Sequence, residues 1–133
     1  MSEDPKATVC AFLEAMDRSD WDGLRARMHP EHLCHFPFAP EPLDVEGHIG
    51  MSQGFRQGFA EFAHLVEDQF CSGDKVLTRG KVRVKHTGEF NGVAATGNVV
   101  EFGFMQVAEV VDGRVRNEWI ELDGVKLMQG IGA

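Results

Sequence analysis

Carboxylate and indole side chains alternate in the stretch RNEWIELDG, residues 116–124. In a strand, alternate side chains share a face, so Trp119, Glu121 and Asp123 are expected to point the same way. A large indole normally faces the core, where desolvation would raise the pKa of a neighbouring carboxylate and suit it to proton transfer. Asp123 is therefore a candidate general base. The alternative is a solvated aspartate that caps the turn at Gly124.

Glu121 and His86 are further candidates for acid–base chemistry. Glu121 could share a proton with Asp123, although a basic partner across the sheet is the simpler interpretation. His86 falls on the valine-rich face of its strand, and an imidazole with an ordinary pKa of ~6.5 can shuttle a proton or orient a ligand. The alternative is a histidine at a strand end that is hydrogen-bonded to backbone.

The stretch HPEHLCH raises the question of a metal site, because it contains His29, His32, Cys34 and His35. Zinc requires three or four ligands that converge at ~2.0–2.3 Å. Pro30 interrupts a shared helical face, and in a strand His32 and Cys34 would point away from His35. The prediction is no metal and no cofactor.

Apolar residues recur at helical spacing in the first half of the chain. An N-cap signal at Asp4 starts one helix and Ser19-Asp20 starts a second, which Pro30 ends. Residues 33–38 are predicted to be extended, and residues 47–63 to form a third helix. Glycines at every fourth position of that helix, Gly50, Gly54 and Gly58, predict close packing against a sheet.

The second half of the chain follows the two-residue period of strands. Strands are predicted over residues 65–71, 75–87 and 99–111. In the last two, the alternation of side chains predicts which face points towards the core. The dipeptide Asp112-Gly113 indicates a tight hairpin that leads into the final strand. The inward face of the third predicted strand is apolar except at Gln106.

Three helices followed by four antiparallel strands predict an α+β fold. We expect a cone-shaped α+β barrel in which the three N-terminal helices pack on a strongly curved antiparallel sheet. The 133 residues are predicted to form a single domain over 1–133. A cavity between the layers would hold a small hydrophobic ligand. Its predicted lining is Phe36, Phe38, Phe55, Phe59, Phe102, Phe104, Asn117 and Trp119.

The overall charge argues against polyanionic partners. Thirteen basic and 21 acidic residues give a formal net charge of -8, which opposes binding to nucleic acid or to an anionic membrane. The N-terminus lacks the features of a signal peptide, and no apolar run approaches the ~18 residues of a membrane helix. The three cysteines show no CxxC spacing. Reduced thiols in the cytoplasm are the prediction.

A row of basic residues and the absence of one residue type also constrain function. Arg79, Lys81, Arg83 and Lys85 share a strand face, which could bind anions, face solvent or form charge pairs across a dimer interface. A homodimer is the prediction. The chain contains no tyrosine, so mechanisms that require a tyrosine hydroxyl are excluded.

Several segments together resemble the SnoaL-like branch of the nuclear-transport-factor-two-like superfamily. They are FPFAP, EGHIG, VEDQFCSGDKVLTRGKV, HTGEFNG, DGRVRNEWIELDG and LMQGIG. The resemblance spans nearly the whole chain and implies the cone fold. It is a poor guide to the reaction, because the superfamily includes cyclases, isomerases, epoxide hydrolases and non-catalytic binders.

The resemblance implies roles for individual residues. Polyketide cyclases of this branch use an aspartate four residues after a tryptophan as acid and base for an intramolecular aldol closure, and Asp123 stands so relative to Trp119. Relatives also carry a histidine two residues before a glycine, which His86 and Gly88 match. Relatives often show Glu-His-Trp where this chain has Asn-Glu-Trp at 117–119. Two prolines in relatives are replaced by alanines at 94–95.

Two functions of different classes remain open from the sequence. The first is cofactor-free acid–base chemistry of cyclase or isomerase type, with Asp123 moving a proton beside a carbonyl and His86 orienting the ligand or relaying the proton. Enolate stabilisation would then fall to His86, Asn117, the Trp119 N–H or water. The second is a non-catalytic binding or dimerisation module, in which phenylalanines fill the pocket and Asp123 forms a salt bridge. A zinc-dependent function ranks third.

Overall fold

The computed structural model describes residues 4–132, which form four helices and five strands. The helices are α1 (Pro5–Asp17), α2 (Trp21–Ala26), α3 (Val45–Gly58) and α4 (Gly124–Gly130). The strands are β1 (Met28–His35), β2 (Glu61–Ser72), β3 (Lys75–Lys85), β4 (Val99–Val111) and β5 (Arg114–Leu122). An aspartate side chain caps the N-terminus of every helix; the four are Asp4, Asp20, Asp44 and Asp123.

The five strands form one curved, unclosed sheet in the order β1-β5-β4-β3-β2. Neighbouring strands from β2 to β5 are antiparallel, as expected for hairpin-connected strands. β1 is the exception, because it pairs in parallel with β5 and extends the sheet at that edge. The predicted α+β class and the helix-on-sheet layers are confirmed.

Two apolar clusters hold the layers together. The first packs α1, α2 and β1 on the sheet and contains Phe12, Leu24 and Val115. The second joins α4 to the middle of the sheet and contains Phe59, Phe102 and Leu127. The buried faces of β3 and β4 match the alternation predicted from their sequences.

Some predicted boundaries were wrong. α3 ends at Gly58, and β2 begins at Glu61, so Phe62 lies on a strand instead of a helix. The interpretation of the α3 glycines was also wrong for two of them, since a Cβ added at Gly50 or Gly54 would meet no atom within 4 Å. The short helix α4 was not predicted. Among residues 4–132, no helix combines the length and the apolar character needed to cross a bilayer.

Candidate active site

A cavity of about 60 Å³ lies where the two apolar clusters meet, between the helices and the inner face of the sheet. Its polar lining residues come from α3, β2 and β4. They are His48, Ser52, Arg56, His64 and Gln106. Ligand pockets usually measure about 300–1,000 Å³, so a ligand must push lining side chains aside to enter.

Five of the predicted phenylalanines line this cavity: Phe36, Phe38, Phe55, Phe102 and Phe104. Phe38 is 59% exposed and therefore stands at the mouth, where its ring packs edge-on against Phe36. The sixth, Phe59, is buried in the second apolar cluster and does not line the cavity.

The final strand turns its tryptophan away from the cavity. Trp119 is 41% exposed on the outer face of the sheet, where it stacks on His35 with ring centroids 5.1 Å apart. The expectation that this indole faces the core was wrong. Asn117 also lies outside the cavity and donates to the carboxylate of Glu109 over 3.0 Å. The inward residues of β5 at this level are Glu118 and Ile120.

Asp123 follows β5 and is exposed, so its expected place in an apolar pocket was wrong. Its Oδ1 accepts a hydrogen bond from the backbone N–H of Lys126 over 3.0 Å and caps α4. It borders a shallow outer groove together with Glu121 and Arg79. The alternative considered from the sequence, a solvated aspartate that caps a turn, describes this geometry.

His86 faces inward as predicted and has no solvent exposure, but it does not line the cavity. Its Nδ1 accepts from the backbone N–H of Thr96 over 3.2 Å, so Nε2 carries the hydrogen of the neutral ring. That Nε2 has no hydrogen-bond partner among residues 4–132. The ring packs against Phe59, at a centroid distance of 5.5 Å. His86 and Asp123 therefore do not share a pocket.

An aspartate–histidine pair lies at the cavity instead. His64 on β2 lines the cavity, and its Nδ1 is 2.6 Å from Oδ1 of Asp17 at the end of α1. The other oxygen of Asp17 accepts from the backbone N–H of His64 over 2.9 Å, which fixes the carboxylate. Since a carboxylate only accepts, Nδ1 of a neutral His64 donates and Nε2 keeps its lone pair. Nε2 has no protein partner within the described chain.

Arg56 supplies a cation beside this pair. Its guanidinium lies 4.5 Å from the ring centroid of Phe62 and donates to the hydroxyl of Ser19 and the carbonyl of Met16. Burial lowers the pKa of Arg56, and the nearby Asp17 opposes that shift. A partly desolvated cation at a cavity can stabilise negative charge that develops on a ligand oxygen.

A second polar cluster is buried below the cavity. Glu118 has no exposure and accepts from Nε2 of Gln106 over 2.8 Å, while its other oxygen lies 3.5 Å from Nε2 of His48. Nδ1 of His48 is 3.1 Å from Nε2 of His32. Burial raises the pKa of Glu118 to about 7 and lowers that of His48 to about 3. Burial also lowers the pKa of His32.

This cluster contains the donor set that could hold a metal ion, since one ligand atom from each of His32, His48 and Glu118 lies within 4.8 Å of the others. Of the residues in HPEHLCH, His32 supplies a ligand atom to this set, and the buried Cys34 faces Glu118. His29 accepts from the backbone of Glu31, and His35 stacks on the outer face. A metal on both histidines would have to displace the hydrogen they share, because Nδ1 of His48 and Nε2 of His32 are a hydrogen-bonded pair.

Sequence reasoning missed Asp17, His64, Glu118 and His48 as site residues. Asp17 and His64 are far apart in the chain, and no local motif joins them. His48 lies in the segment EGHIG, and Glu118 precedes the tryptophan that was assigned to the inner face. A usable signal was the apolar pair Ile120 and Leu122, which shares the parity of Glu118 and marks the inward side of β5.

The model of the SnoaL-like polyketide cyclase family matches residues 6–131. This chain belongs to that family. Among solved structures, the SnoaL-like chain is similar to IdmH of Streptomyces antibioticus, described as a candidate polyketide cyclase. The two are 30% identical over 98% of this chain and 100% of IdmH, with a TM-score of 0.90.

More distant structures share the fold of this SnoaL-like chain. AclR of Streptomyces galilaeus, described as a candidate hydroxylase, is 23% identical over 96% of this chain and 95% of AclR, with a TM-score of 0.85. A candidate SnoaL-like polyketide cyclase of Jannaschia sp. CCS1 is 22% identical over 97% and 92% of the two chains, also with a TM-score of 0.85. No curated protein matches the sequence significantly.

Proposed function

We propose that this SnoaL-like chain is a cofactor-free acid–base catalyst of cyclase or isomerase type that acts on a small apolar carbonyl compound. The observation that carries the proposal is the Asp17–His64 pair at an apolar cavity. Asp17 fixes the ring and its tautomer, so Nε2 of His64 is presented as a base. Family membership and the likeness to IdmH support the reaction class.

In the proposed reaction, Nε2 of His64 removes a proton from the carbon beside a ligand carbonyl. The negative charge moves to the carbonyl oxygen, where Arg56 can stabilise it. The resulting imidazolium is stabilised by the carboxylate of Asp17, at 2.6 Å from Nδ1. Return of the proton at another position gives isomerisation. Attack of the enolate carbon on a second carbonyl of the same molecule gives cyclisation, and the new alkoxide then takes the proton from the His64 imidazolium.

Exchange of carbon-bound hydrogen in D2O tests the proposal without knowledge of the substrate. Indanone is a flat apolar ketone, and we expect the wild-type protein to catalyse deuteration of its α-carbon, measured by proton NMR. Replacement His64→Gln should slow protein-dependent exchange by roughly 100-fold, the lower range for a positioned base. Asp17→Asn should also slow it, because the amide can no longer stabilise the imidazolium.

The matched control for that experiment is His29→Gln, which makes the same chemical change outside the cavity. Its exchange rate should equal that of the wild type. Asp123→Asn tests the base predicted from the sequence, and its catalytic role stays a prediction until this variant is measured. Exchange that survives His64→Gln but disappears in Asp123→Asn would reject the proposal made here.

A non-catalytic binding function is the second candidate, and the small volume of the cavity favours it. About 60 Å³ is free because phenylalanines from several elements occupy the space between helices and sheet. The expected salt bridge of Asp123 is not among the ion pairs of the described residues. A binding module would take up indanone without accelerating its deuteration.

Two further properties are proposals. Exposed apolar side chains on the outer face of the sheet support the predicted homodimer. They include Leu65, Phe70, Met105 and Trp119. The cytoplasmic location rests on the sequence alone.

A further inference from the structure

Five groups form a continuous row from the backbone of β5 to the cavity. The carbonyl oxygen of Val115 is 2.8 Å from Nδ1 of His32, whose Nε2 is 3.1 Å from Nδ1 of His48. Nε2 of His48 is 3.5 Å from Oε1 of Glu118, a contact that is not a hydrogen bond, since Oε1 has no hydrogen-bond partner among residues 4–132. Oε2 of Glu118 accepts from Nε2 of Gln106 over 2.8 Å. Gln106 lines the cavity, so the row ends at the ligand space.

The direction of the row follows from its fixed end. A backbone carbonyl only accepts, so Nδ1 of His32 must donate to Val115. In a neutral ring Nε2 then has a lone pair, and Nδ1 of His48 must donate to it. The same argument leaves a lone pair on Nε2 of His48, which faces Glu118. Burial, which lowers the pKa of both histidines, keeps the rings neutral.

Glu118 continues the row in the same direction when it is protonated. An acid hydrogen on Oε1 points towards the lone pair of His48 Nε2 across 3.5 Å, and Oε2 remains an acceptor for the amide N–H of Gln106. Burial favours this protonated form because the charged form would have no cation beside it. Each hydrogen then has one position, and the two aligned hydrogen bonds from Val115 through His32 to His48 strengthen one another.

One polar atom at the cavity end of the row remains unused. Gln106 is 2% exposed, its amide nitrogen is held by Glu118, and its Oε1 has no hydrogen-bond partner among residues 4–132. An unsatisfied buried carbonyl oxygen is costly, so a group that donates to it is favoured there. Because Oε2 of Glu118 accepts from the amide nitrogen, the orientation of the amide is fixed, and this site offers an acceptor and not a donor.

We propose that Gln106 Oε1 is a specificity-determining acceptor for a ligand hydroxyl, which makes the ligand class flat apolar molecules that carry an enol or phenol O–H. This inference rests on the proposed function only in placing the ligand in this cavity. Glu118, His48 and His32 are positioning residues, since they act through Gln106. A ligand that presents only carbonyl or ether oxygens to this end of the cavity would place their lone pairs against the lone pairs of Gln106 Oε1, which repel them.

The first test reads the hydrogen positions in the unmodified protein. Nitrogen-15 NMR of histidine side chains distinguishes the two neutral tautomers from each other and from the charged ring. We expect neutral rings with hydrogen on Nδ1 for both His32 and His48 at pH values below the pKa of Glu118. Hydrogen on Nε2 of either ring, a charged ring, or signals that change when a chelator is added would overturn the proposed row.

The second test compares two probes that differ by one methyl group, naphthol and methoxynaphthalene, by titration calorimetry. Wild-type protein should bind naphthol about tenfold more tightly than methoxynaphthalene, a difference in affinity that corresponds to one hydrogen bond. The replacement Gln106→Met keeps the length of the side chain without its acceptor and should abolish the preference. Glu118→Gln should retain it, because an amide can accept from Gln106 and donate to His48.

The exposed replacement Gln57→Met is the matched control and should leave the preference unchanged. A preference for naphthol that survives Gln106→Met would overturn the inference, as would the failure of both probes to bind wild-type protein. Neither measurement depends on turnover. Absence of a naphthol preference in the wild-type protein, together with intact His64-dependent exchange, would therefore contradict this inference and leave the proposed function standing.

Discussion

Glu118 shows how strongly one carboxyl group depends on its surroundings. It has no solvent exposure, and the groups that face it are Cys34 from β1, His48 from α3 and Gln106 from β4. Of these only His48 could become a cation, and burial lowers its pKa to about 3. Protonating Glu118, whose pKa burial raises to about 7, therefore costs less free energy than keeping it ionised beside a protonated His48.

The free energy of unfolding of the protein should depend on pH because of this proton. The folded pKa of Glu118 is raised from 4.5, so its contribution is fully present below pH 4.5 and is lost as the pH rises through about 7. The folded pKa of His48 is depressed from 6.5 to about 3, so its contribution is present above pH 6.5 and lost towards pH 3. The two effects oppose each other between pH 4.5 and 6.5.

Replacement Glu118→Gln removes one of these opposing effects. Relative to wild type, the free energy of unfolding of the variant should rise by about 1.4 kcal/mol per pH unit from the unfolded to the folded pKa of Glu118. Urea unfolding of both proteins across this pH range measures the difference. A difference that does not change with pH would show that Glu118 is ionised in the folded protein throughout.

At the residue scale, the sequence could predict lining residues but not the reacting ones. Phe102 and Phe104 were predicted because they follow a long, regular alternation on β4. On β5 the large indole of Trp119 was a misleading guide. Alternate residues of a strand share a face, so placing one residue on the wrong face exchanges the inner and outer faces of the whole strand. The outer face can hold Trp119 since His35 stacks on it. Asp17 and His64 meet only through tertiary packing.

At the scale of elements, α3 carries two glycines with no structural purpose in the described fold. Gly50 and Gly54 are exposed, and a Cβ at either position would meet nothing within 4 Å. Gly80 on β3 is different, since its Cβ would lie 2.1 Å from the carbonyl oxygen of Leu65. There β2 shifts register between Val66 and Asp68, and its backbone crowds β3.

Alanine substitutions should therefore act in opposite directions. Gly50→Ala and Gly54→Ala should each stabilise the protein by about 1 kcal/mol, because alanine is a better helix former than glycine. Gly80→Ala should destabilise it, since backbone must move to accept the methyl group. Thermal unfolding followed by circular dichroism measures all three. Destabilisation by the α3 variants would instead indicate that another molecule packs on these glycines.

The sequence predicted long elements better than short ones. β4 was predicted with its observed bounds, because thirteen residues of alternation leave little freedom. β1 was only partly predicted, since the polar stretch HPEHLCH has no clean period and its parallel partner β5 lies at the far end of the chain. α4 has seven residues, too few to show a helical stripe.

At the scale of the whole molecule, no helix among residues 4–132 covers the outer face of the sheet. A row of paired residues crosses its outer face through Phe70, Leu77, Val107 and Trp119. Met105 stands beside this row, between Arg79 and Glu121 on the neighbouring strands, and is 49% exposed. Apolar surface rimmed by charges is typical of an interface, which is why we expect two copies to pack through this face.

A charge in the middle of the face tests the homodimer. Met105→Glu should convert a dimer into a monomer, because it buries a carboxylate next to Glu121 in the interface. Light scattering after size-exclusion chromatography gives the mass directly. Val125→Glu is the control, since Val125 is also an exposed apolar residue but lies on α4, away from this face. A monomeric wild type would reject the prediction at once.

The parallel pairing of β1 with β5 has a consequence for synthesis on the ribosome. His32 and His48 are made early, but the strand that supplies Glu118 and completes the edge of the sheet is the last one translated. In a nascent chain the two histidines and the incomplete sheet therefore lack their partners until β5 emerges from the exit tunnel. The polar row beneath the cavity is therefore expected to be among the last parts of this domain to assemble, after β5 has been translated.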